Sequence, residues 1–279
     1  MKILRPQEIP ILVQEGFFDI GITGLDWVLE TNSKVKILQK LNYGRVKLIM
    51  ATSSRFSFNS VEELLETMIV NKGFISISTE YLNLASRYIS SFGKYKDFCG
   101  EEHPTILTPW ISRKGCDKVK IFLSFGATEA KPPEEADVIF DNMSTGITLF
   151  QNNLKIIGEY MDSEAVLIAN RDALLDGRRE KVLDIKTILK GVVDAKERLH
   201  IFVNVKENNL EKLLAKLPAL KSPTISPLKD KGWYSINSVI RKEDFFKIVR
   251  DLRKLAQGLV IYEPKQVLLL ESDTYENNG

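Results

Sequence analysis

Cysteine and histidine are nearly missing from this chain of 279 residues, with two of each. Cys99 and Cys116 show no metal-ligand spacing. Two cysteines make a disulfide framework an unexpected feature, and a reducing compartment fits better. His103 and His200 are isolated from each other and from any ligand motif, so both read as structural or solvated. No apolar run approaches the roughly 20 residues of a membrane span. The start, Met1 to Pro6, lacks the apolar core of a secretory leader. A cytoplasmic protein is the expectation. Excess charge is also missing: 39 Lys and Arg against 37 Asp and Glu leave +2. That balance excludes a global attraction to nucleic acid or to a membrane surface, though not a local basic pocket. There is no repeat and no low-complexity tract.

What is present is a globular mixture, 44% hydrophobic and 27% charged, long enough for two or three domains. Helical and strand periods alternate along most of it, which predicts an α/β fold. Ile9, Leu12 and Val13 recur at helical spacing after Pro6, a residue suited to a first turn. Residues 19–24 read as a strand and a Gly turn, and Asp26 is placed to open the next helix. Further strands are expected at 35–38 and 46–51. The alternation restarts after residue 52 with helices at 61–69 and 81–90 and a strand at 74–78. Residues 91–118 are polar and show no period, so no element is assigned to them. Strands follow at 119–124, 138–141, 154–157 and 165–169, with a short helix at 133–136. A long amphipathic helix from about 172 carries Val182, Ile185, Leu189 and Val192 at 3-4-3 spacing. The tail reads strand 199–205, helix 210–217, strands 222–228 and 233–240, helix 245–255, and a last strand region at 259–262 with 267–270. That order is βαββαβ, the ferredoxin-like arrangement. Residues after 271 are polar and expected to fray.

One stretch concentrates small donors: Asp137-Val138-Ile139-Phe140-Asp141-Asn142-Met143-Ser144-Thr145-Gly146-Ile147-Thr148-Leu149. An apolar strand stops at Asp141, and Ser144, Thr145, Gly146 and Thr148 crowd the following turn. Gly146 lets a backbone approach closely, successive N–H groups can form an anion nest, and the hydroxyls add donors. A helix opening at Thr148 would add its dipole. Asp141 would repel a phosphate, so its role is to accept from ribose hydroxyls beside it. The pattern reads a ribose 5-phosphate; the bland alternative is a capped strand-to-helix turn.

The run just before it, Ser124-Phe125-Gly126-Ala127-Thr128-Glu129-Ala130-Lys131-Pro132, resembles a signature of the ATP phosphoribosyltransferases of histidine biosynthesis. Asp141, Ser144, Thr145, Gly146, Thr148 and Leu149 match that family's phosphoribosyl pyrophosphate loop. Other motifs match in order. Arg5-Pro6-Gln7-Glu8-Ile9-Pro10 and residues 19–26 look like its first-domain motifs. Asp162-Ser163-Glu164-Ala165 is similar to its return strand, and Ser222-Pro223-Thr224-Ile225-Ser226-Pro227-Leu228 to its tail signature. The resemblance spans almost the whole chain. It departs from the family at the start, where a strand and a Lys-Gly-Arg-like turn are expected ahead of Arg5, and at Ile147 and Phe150.

The resemblance implies two periplasmic-binding-protein-like α/β domains and a ferredoxin-like regulatory domain. The first domain is expected at 1–51 with 154–173, N-terminally truncated, the second at 52–153, a connecting helix at 174–195 and the regulatory domain at 196–279. It implies condensation of ATP with phosphoribosyl pyrophosphate by positioning and electrostatics, without a protein nucleophile. Asp141, Ser144, Thr145, Gly146, Ile147 and Thr148 would bind phosphoribosyl pyrophosphate. Arg5, Gln7, Thr23 and Asp26 would face ATP. Glu129 would serve Mg²⁺, with Lys131 near pyrophosphate. Ser222 and Thr224 would belong to a histidine site in the tail, and a homo-oligomer, dimer or hexamer, is expected. Trp27, Trp110 and Trp233 read as core or domain-contact residues. Two rivals stand beside this: another phosphoribosyltransferase, whose loop usually pairs two acidic residues where Asp141-Asn142 stands here, and a two-lobed small-molecule binding protein.

Overall fold

The computed structural model describes residues 1–220 and 222–268. The expected fraying after 271, and the end of the strand region placed at 267–270, lie outside the described residues. The chain divides into two compact units, Met1–Arg179 and Glu180–Gly279.

The first unit runs α1 (Ile9–Gln14), β1 (Ile20–Gly24), α2 (Leu25–Glu30), β2 (Lys36–Lys40), β3 (Val46–Ser53), α3 (Val61–Lys72), β4 (Ile75–Thr79), α4 (Leu82–Ser90), α5 (Gly93–Cys99), β5 (Pro104–Leu107), β6 (Ser112–Arg113), β7 (Cys116–Leu123), β8 (Val138–Met143), α6 (Ile147–Gln151), β9 (Leu154–Ser163) and β10 (Ala165–Ala169). It is the two-lobed α/β arrangement. A small antiparallel sheet has the order β1-β10-β2, and a mixed seven-stranded sheet the order β6-β5-β7-β4-β8-β3-β9. In the large sheet β4 runs parallel to both β7 and β8. Strands β3 and β9, counted with the first lobe in the sequence, hydrogen-bond in the large sheet and run on towards the small one. Val46 pairs with Ser163, and two residues further on Ala165 pairs with Gly24.

Local chemistry explains the elements. At α3 the Ser60 hydroxyl accepts from Glu63 N (3.2 Å) while the Glu63 carboxylate accepts from Asn59 N (2.7 Å). This is a variant of the capping box. Gly73, at φ +84°, ends the helix in the left-handed conformation that a C-cap favours. All five residues of β4 are buried, Ile75 and Ile77 alternating with Ser76, Ser78 and Thr79, so the strand is covered on both faces. Its Ile75 and Ile77 share a core with Leu48, Met50, Phe140 and Tyr81. The small sheet packs Val166 and Ile168 against Val13 and Val28.

Residues 91–118, unassigned from sequence, hold α5, the β5–β6 hairpin and the start of β7. These elements are too short for a period to emerge. Here the expectation of two free cysteines is corrected. Cys99 at the end of α5 and Cys116 at the start of β7 form a disulfide. Their Cα atoms lie 5.5 Å apart, inside the range a bridge requires. Trp110, expected in a core or domain contact, is exposed at the hairpin turn against Phe125. The short helix expected at 133–136 is a turn, and a 3-10 turn forms earlier at Thr128–Ala130.

The second unit carries α7 (Arg179–Lys196), which starts one residue before it, β11 (Arg198–Lys206), α8 (Glu207–Leu214), β12 (Thr224–Pro227), β13 (Trp233–Arg241), α9 (Lys242–Leu255) and β14 (Ala256–Tyr262). The sheet order β12-β13-β11-β14 is the ferredoxin-like one. Alternation makes it so: Leu199, Ile201, Val203 and Val205 all face one side, where Ile248 and Leu252 of α9 cover them. Val267 lies outside a strand and donates from its backbone to Gly191 O of α7 (3.0 Å).

Candidate active site

Three loops leave the carboxyl ends of neighbouring parallel strands, and in open α/β sheets that edge is where ligands bind. After β4 comes Glu80, after β7 the turn 124–129, and β8 ends on Asp141 to Met143. Glu80, Glu129 and Asp141 line one cavity of about 520 Å³ together with Ser144, Thr145, Gly146 and Thr148. Pro6, Gln7 and Trp27 also line it. The turn after β8 therefore does what its composition suggested: it ends a buried strand at a cavity.

Burial stops where function starts. Val138, Ile139 and Phe140 are core residues, and Asp141 is the first to emerge. Its Oδ1 accepts from Asn142 N (2.7 Å), and its Oδ2 accepts from the Thr128 hydroxyl. Burial pushes the Asp141 carboxyl above its ordinary value. The Thr128 and Asn142 hydrogen bonds pull it down, and the charges of Glu80 and Glu129 push it up again. Gly146 sits at φ +76° and caps α6. That helix starts at Ile147 and has five residues, so the dipole expected from it is small and the anion-binding capacity rests on the turn's own N–H and hydroxyl groups.

A second cavity of about 540 Å³ shares Met143 and Ser144 with the first. It brings in Lys40, Arg45 and Lys47 as well as Asp162 and Glu164. Lys47 Nζ meets Glu159 at 2.6 Å, which holds its ammonium above the usual range, and Lys40 meets Glu164 at 3.3 Å. Among the described residues Arg45 meets only Asn42 Oδ1, at 3.5 Å. Ser144 thus borders both a cavity walled by carboxylates and one in which Lys40, Arg45 and Lys47 stand with Asp162 and Glu164.

The residues expected on the ATP side divide. Gln7 lines the first cavity and donates to Glu80 Oε2 (3.0 Å). Arg5 is exposed and lines neither cavity. Thr23 is buried, with its hydroxyl donating to Pro6 O (2.8 Å). Asp26 is 4% exposed and turns inward. Its Oδ1 accepts from the Ser163 hydroxyl (2.7 Å) and its Oδ2 from the Tyr81 hydroxyl (2.7 Å). The N-cap of α2 is Gly24, so Asp26 lies inside the helix rather than opening it. Ile147 and Lys131 are absent from both cavities. His103 Nδ1 faces Pro104 O (2.9 Å), and His200 pairs with Asn237. Ser222 and Thr224 are exposed, Thr224 opening the edge strand β12. Trp27 stacks on Tyr81 at 4.3 Å, and Trp233 is half-buried beneath Lys206.

Sequence reasoning missed Glu80, Thr128, Asn142, Lys40, Arg45 and Lys47. Thr128 was visible inside the Gly126-Ala127-Thr128-Glu129-Ala130 motif. Asn142 was visible beside Asp141, where a related loop pairs two acids, and nothing local marked Glu80, Lys40, Arg45 and Lys47, since lone charged residues near strand ends are common on surfaces.

Comparison with known proteins agrees with this geometry. The ATP phosphoribosyltransferase family model matches residues 5–191, and the model of that family's C-terminal domain matches residues 195–264. The ATP phosphoribosyltransferase of Koribacter versatilis (strain Ellin345) is 35% identical over 274 residues, 96% of this chain and 84% of that protein. The one from Sulfurisphaera tokodaii is 34% identical over 270 residues, again 96% and 84%. Among solved structures, a chain of the ATP phosphoribosyl transferase (HisG:HisZ) complex from Thermotoga maritima superposes with a TM-score of 0.52. Its identity is 22%, covering 69% of this chain and 78% of that one, a likeness of fold. The chain belongs to the ATP phosphoribosyltransferase family, the pentosyltransferases that condense ATP with phosphoribosyl pyrophosphate to N1-(5-phosphoribosyl)-ATP and pyrophosphate in the first step of histidine biosynthesis.

Proposed function

We propose that the turn from Asp141 to Thr148 holds the phosphoribosyl half of phosphoribosyl pyrophosphate, with the leaving diphosphate directed to Lys40, Arg45 and Lys47. The supporting observation is the shared position of Ser144, which lines both the acidic and the basic cavity. Ser144, Thr145 and Thr148 donate to the 5-phosphate, and Asp141 accepts from the ribose. As the bond at C1 lengthens, positive charge grows on the ribose and negative charge on the diphosphate. The carboxylates of Glu80, Glu129 and Asp141 oppose the first, and Arg45 opposes the second, joined by Lys40 and Lys47 as they exchange Glu164 and Glu159 for the diphosphate. Catalysis is then placement and fixed charge, with no covalent intermediate on the protein. Gln7 and Trp27 border the same cavity and would face ATP. Thr23 and Asp26 hold that wall from behind.

Mg²⁺ fits this donor set as a companion of the diphosphate. Among the described residues no three ligand-type side chains converge on one point. Mg²⁺ needs only one or two carboxylates when waters and phosphate oxygens complete its shell. Glu129, beside Asp141, would hold it, and the ion would supply neutralising charge to the diphosphate.

The division into catalytic domains at 1–51 with 154–173 and at 52–153, a connecting helix at 174–195 and a regulatory domain from 196 is part of the same reading. So are histidine as inhibitor at Ser222 and Thr224, a dimer or hexamer of this chain, and the cytoplasm as its site. Among the described residues no helix is long and apolar enough to cross a membrane. Calorimetric titration with inorganic pyrophosphate tests the two-walled cradle. The Arg45→Met/Lys47→Met variant should lose pyrophosphate binding and keep ribose 5-phosphate binding; unchanged pyrophosphate affinity would remove the basic cavity from the mechanism.

A further inference from the structure

Asn142 follows Asp141 into the cavity, and a buried chain of hydrogen bonds fixes which way its amide faces. Asp26 is a carboxylate and can only accept. The Tyr81 hydroxyl must therefore donate its single hydrogen to Asp26 Oδ2, at 2.7 Å. What Tyr81 has left is a lone pair, and Asn142 Nδ2 donates to it at 2.9 Å. Ser163, on the strand that runs between the two sheets, completes Asp26 from the other side. Asp26, Tyr81 and Ser163 are all buried, so none of these polarities can be exchanged with solvent. The Tyr81 ring is held as well, stacked on Trp27 and set edge-on to Phe140.

The amide of Asn142 thus has its nitrogen turned to Tyr81 by one of its two N–H groups. Its Oδ1 has no partner among the described residues, and the side chain is exposed where it lines the cavity. Asp141 and Asn142 together offer two adjacent acceptors at the strand end, one charged and one neutral. A ribose offers two adjacent hydroxyl donors.

We propose that Asn142 is a second ribose-reading residue, its Oδ1 accepting from the sugar hydroxyl that Asp141 leaves, and that Tyr81 and Asp26 are positioning residues that set its orientation. This rests on the reading of residues 141–148 as the phosphoribosyl cradle. The neutral amide does the second acceptor's work without adding charge to a wall that already holds Glu80, Glu129 and Asp141.

The experiment is calorimetric titration of the full chain with ribose 5-phosphate and with its 2-deoxy and 3-deoxy analogues. The wild type should prefer ribose 5-phosphate by about three- to tenfold over the analogue lacking the hydroxyl read by the neutral Asn142, and by about ten- to a hundredfold over the one lacking the hydroxyl read by the charged Asp141. Asn142→Leu, at an exposed position, should lose the preference against one analogue and keep it against the other. Tyr81→Phe keeps the stacked ring and frees the amide to turn, so it should weaken the same preference. The double variant should be no worse than Asn142→Leu alone, because the two residues act in series. A role in stability alone would lower the unfolding temperature and leave the preferences untouched. Full preference against both analogues in Asn142→Leu overturns the assignment of Asn142. A wild type that binds none of the three sugars overturns the cradle beneath it.

Discussion

Gly146→Val separates two ways in which a glycine can matter at the cradle. Gly146 sits at φ +76°, a conformation that costs an L-residue about 1–2 kcal/mol, and more when the side chain branches at Cβ. Space is less restrictive: an added Cβ would meet only the Met143 sulfur, at 3.4 Å, the end of a flexible side chain. The turn can hold its shape and carry the strain, or relax and displace Ser144, Thr145 and Thr148. Each hydrogen bond to phosphate that such a relaxation breaks is worth about 1.5–3 kcal/mol, because its acceptor is charged. That converts to a fall in affinity of about ten- to a hundredfold per bond. Calorimetric titration of Gly146→Asn, Gly146→Ala and Gly146→Val with phosphoribosyl pyrophosphate should rank them in that order, with Val weakest by at least about tenfold and Asn near wild type, since Asn tolerates the left-handed region. All three carry a Cβ in the same place, so equal losses would mean that the ligand itself occupies that space. Val binding within about twofold of wild type would refute the argument that this backbone conformation builds the site.

Glu30 gives a pH prediction. Its carboxylate accepts from Asn83 N (2.9 Å) and Leu84 N (2.8 Å), yet burial outweighs these and raises it above 4.5. The folded state then holds the proton more tightly than the unfolded one, so Glu30's contribution to stability falls as pH rises from 4.5 through the folded value. Against Glu30→Gln, the wild type should lose relative stability between pH 4 and pH 7 in denaturant titrations; drift the other way contradicts the burial argument. The Cys99–Cys116 bridge closes a loop of separation 17, so a reductant should lower the unfolding free energy by about 3 kcal/mol. Two titratable thiols in the protein as purified, with unfolding indifferent to reductant, would count against the bridge. Histidine should inhibit the full chain and leave a chain ending at about Ala195 unaffected, as measured by product formation; equal sensitivity of both would put the inhibitor site in the first unit.

What the sequence by itself determined is what local pattern can encode. The apolar run Val138–Ile139–Phe140 had to be a buried strand, and a glycine among hydroxyls after it had to be a tight turn. The order of periods in the tail specified a ferredoxin-like sheet, because alternation at Leu199 to Val205 has one solution once two helices need a face to cover. Short elements without a period, such as those in residues 91–118, stayed illegible, and so did the Cys99–Cys116 bridge, whose partners meet only when α5 and β7 pack together. Direction was equally hidden. Asp26 looked like a helix opener facing a ligand, and the packing of α2 against Tyr81 turned it inward instead. Glu80, Glu129 and Asp141 are far apart in the chain and became one wall because parallel neighbours β4, β7 and β8 deliver their carboxyl ends to the same edge. The sequence named the donors of the cradle. Only the tertiary structure decided which charges surround it, since a side chain's electrostatic environment is set by neighbours in space, which no local period records.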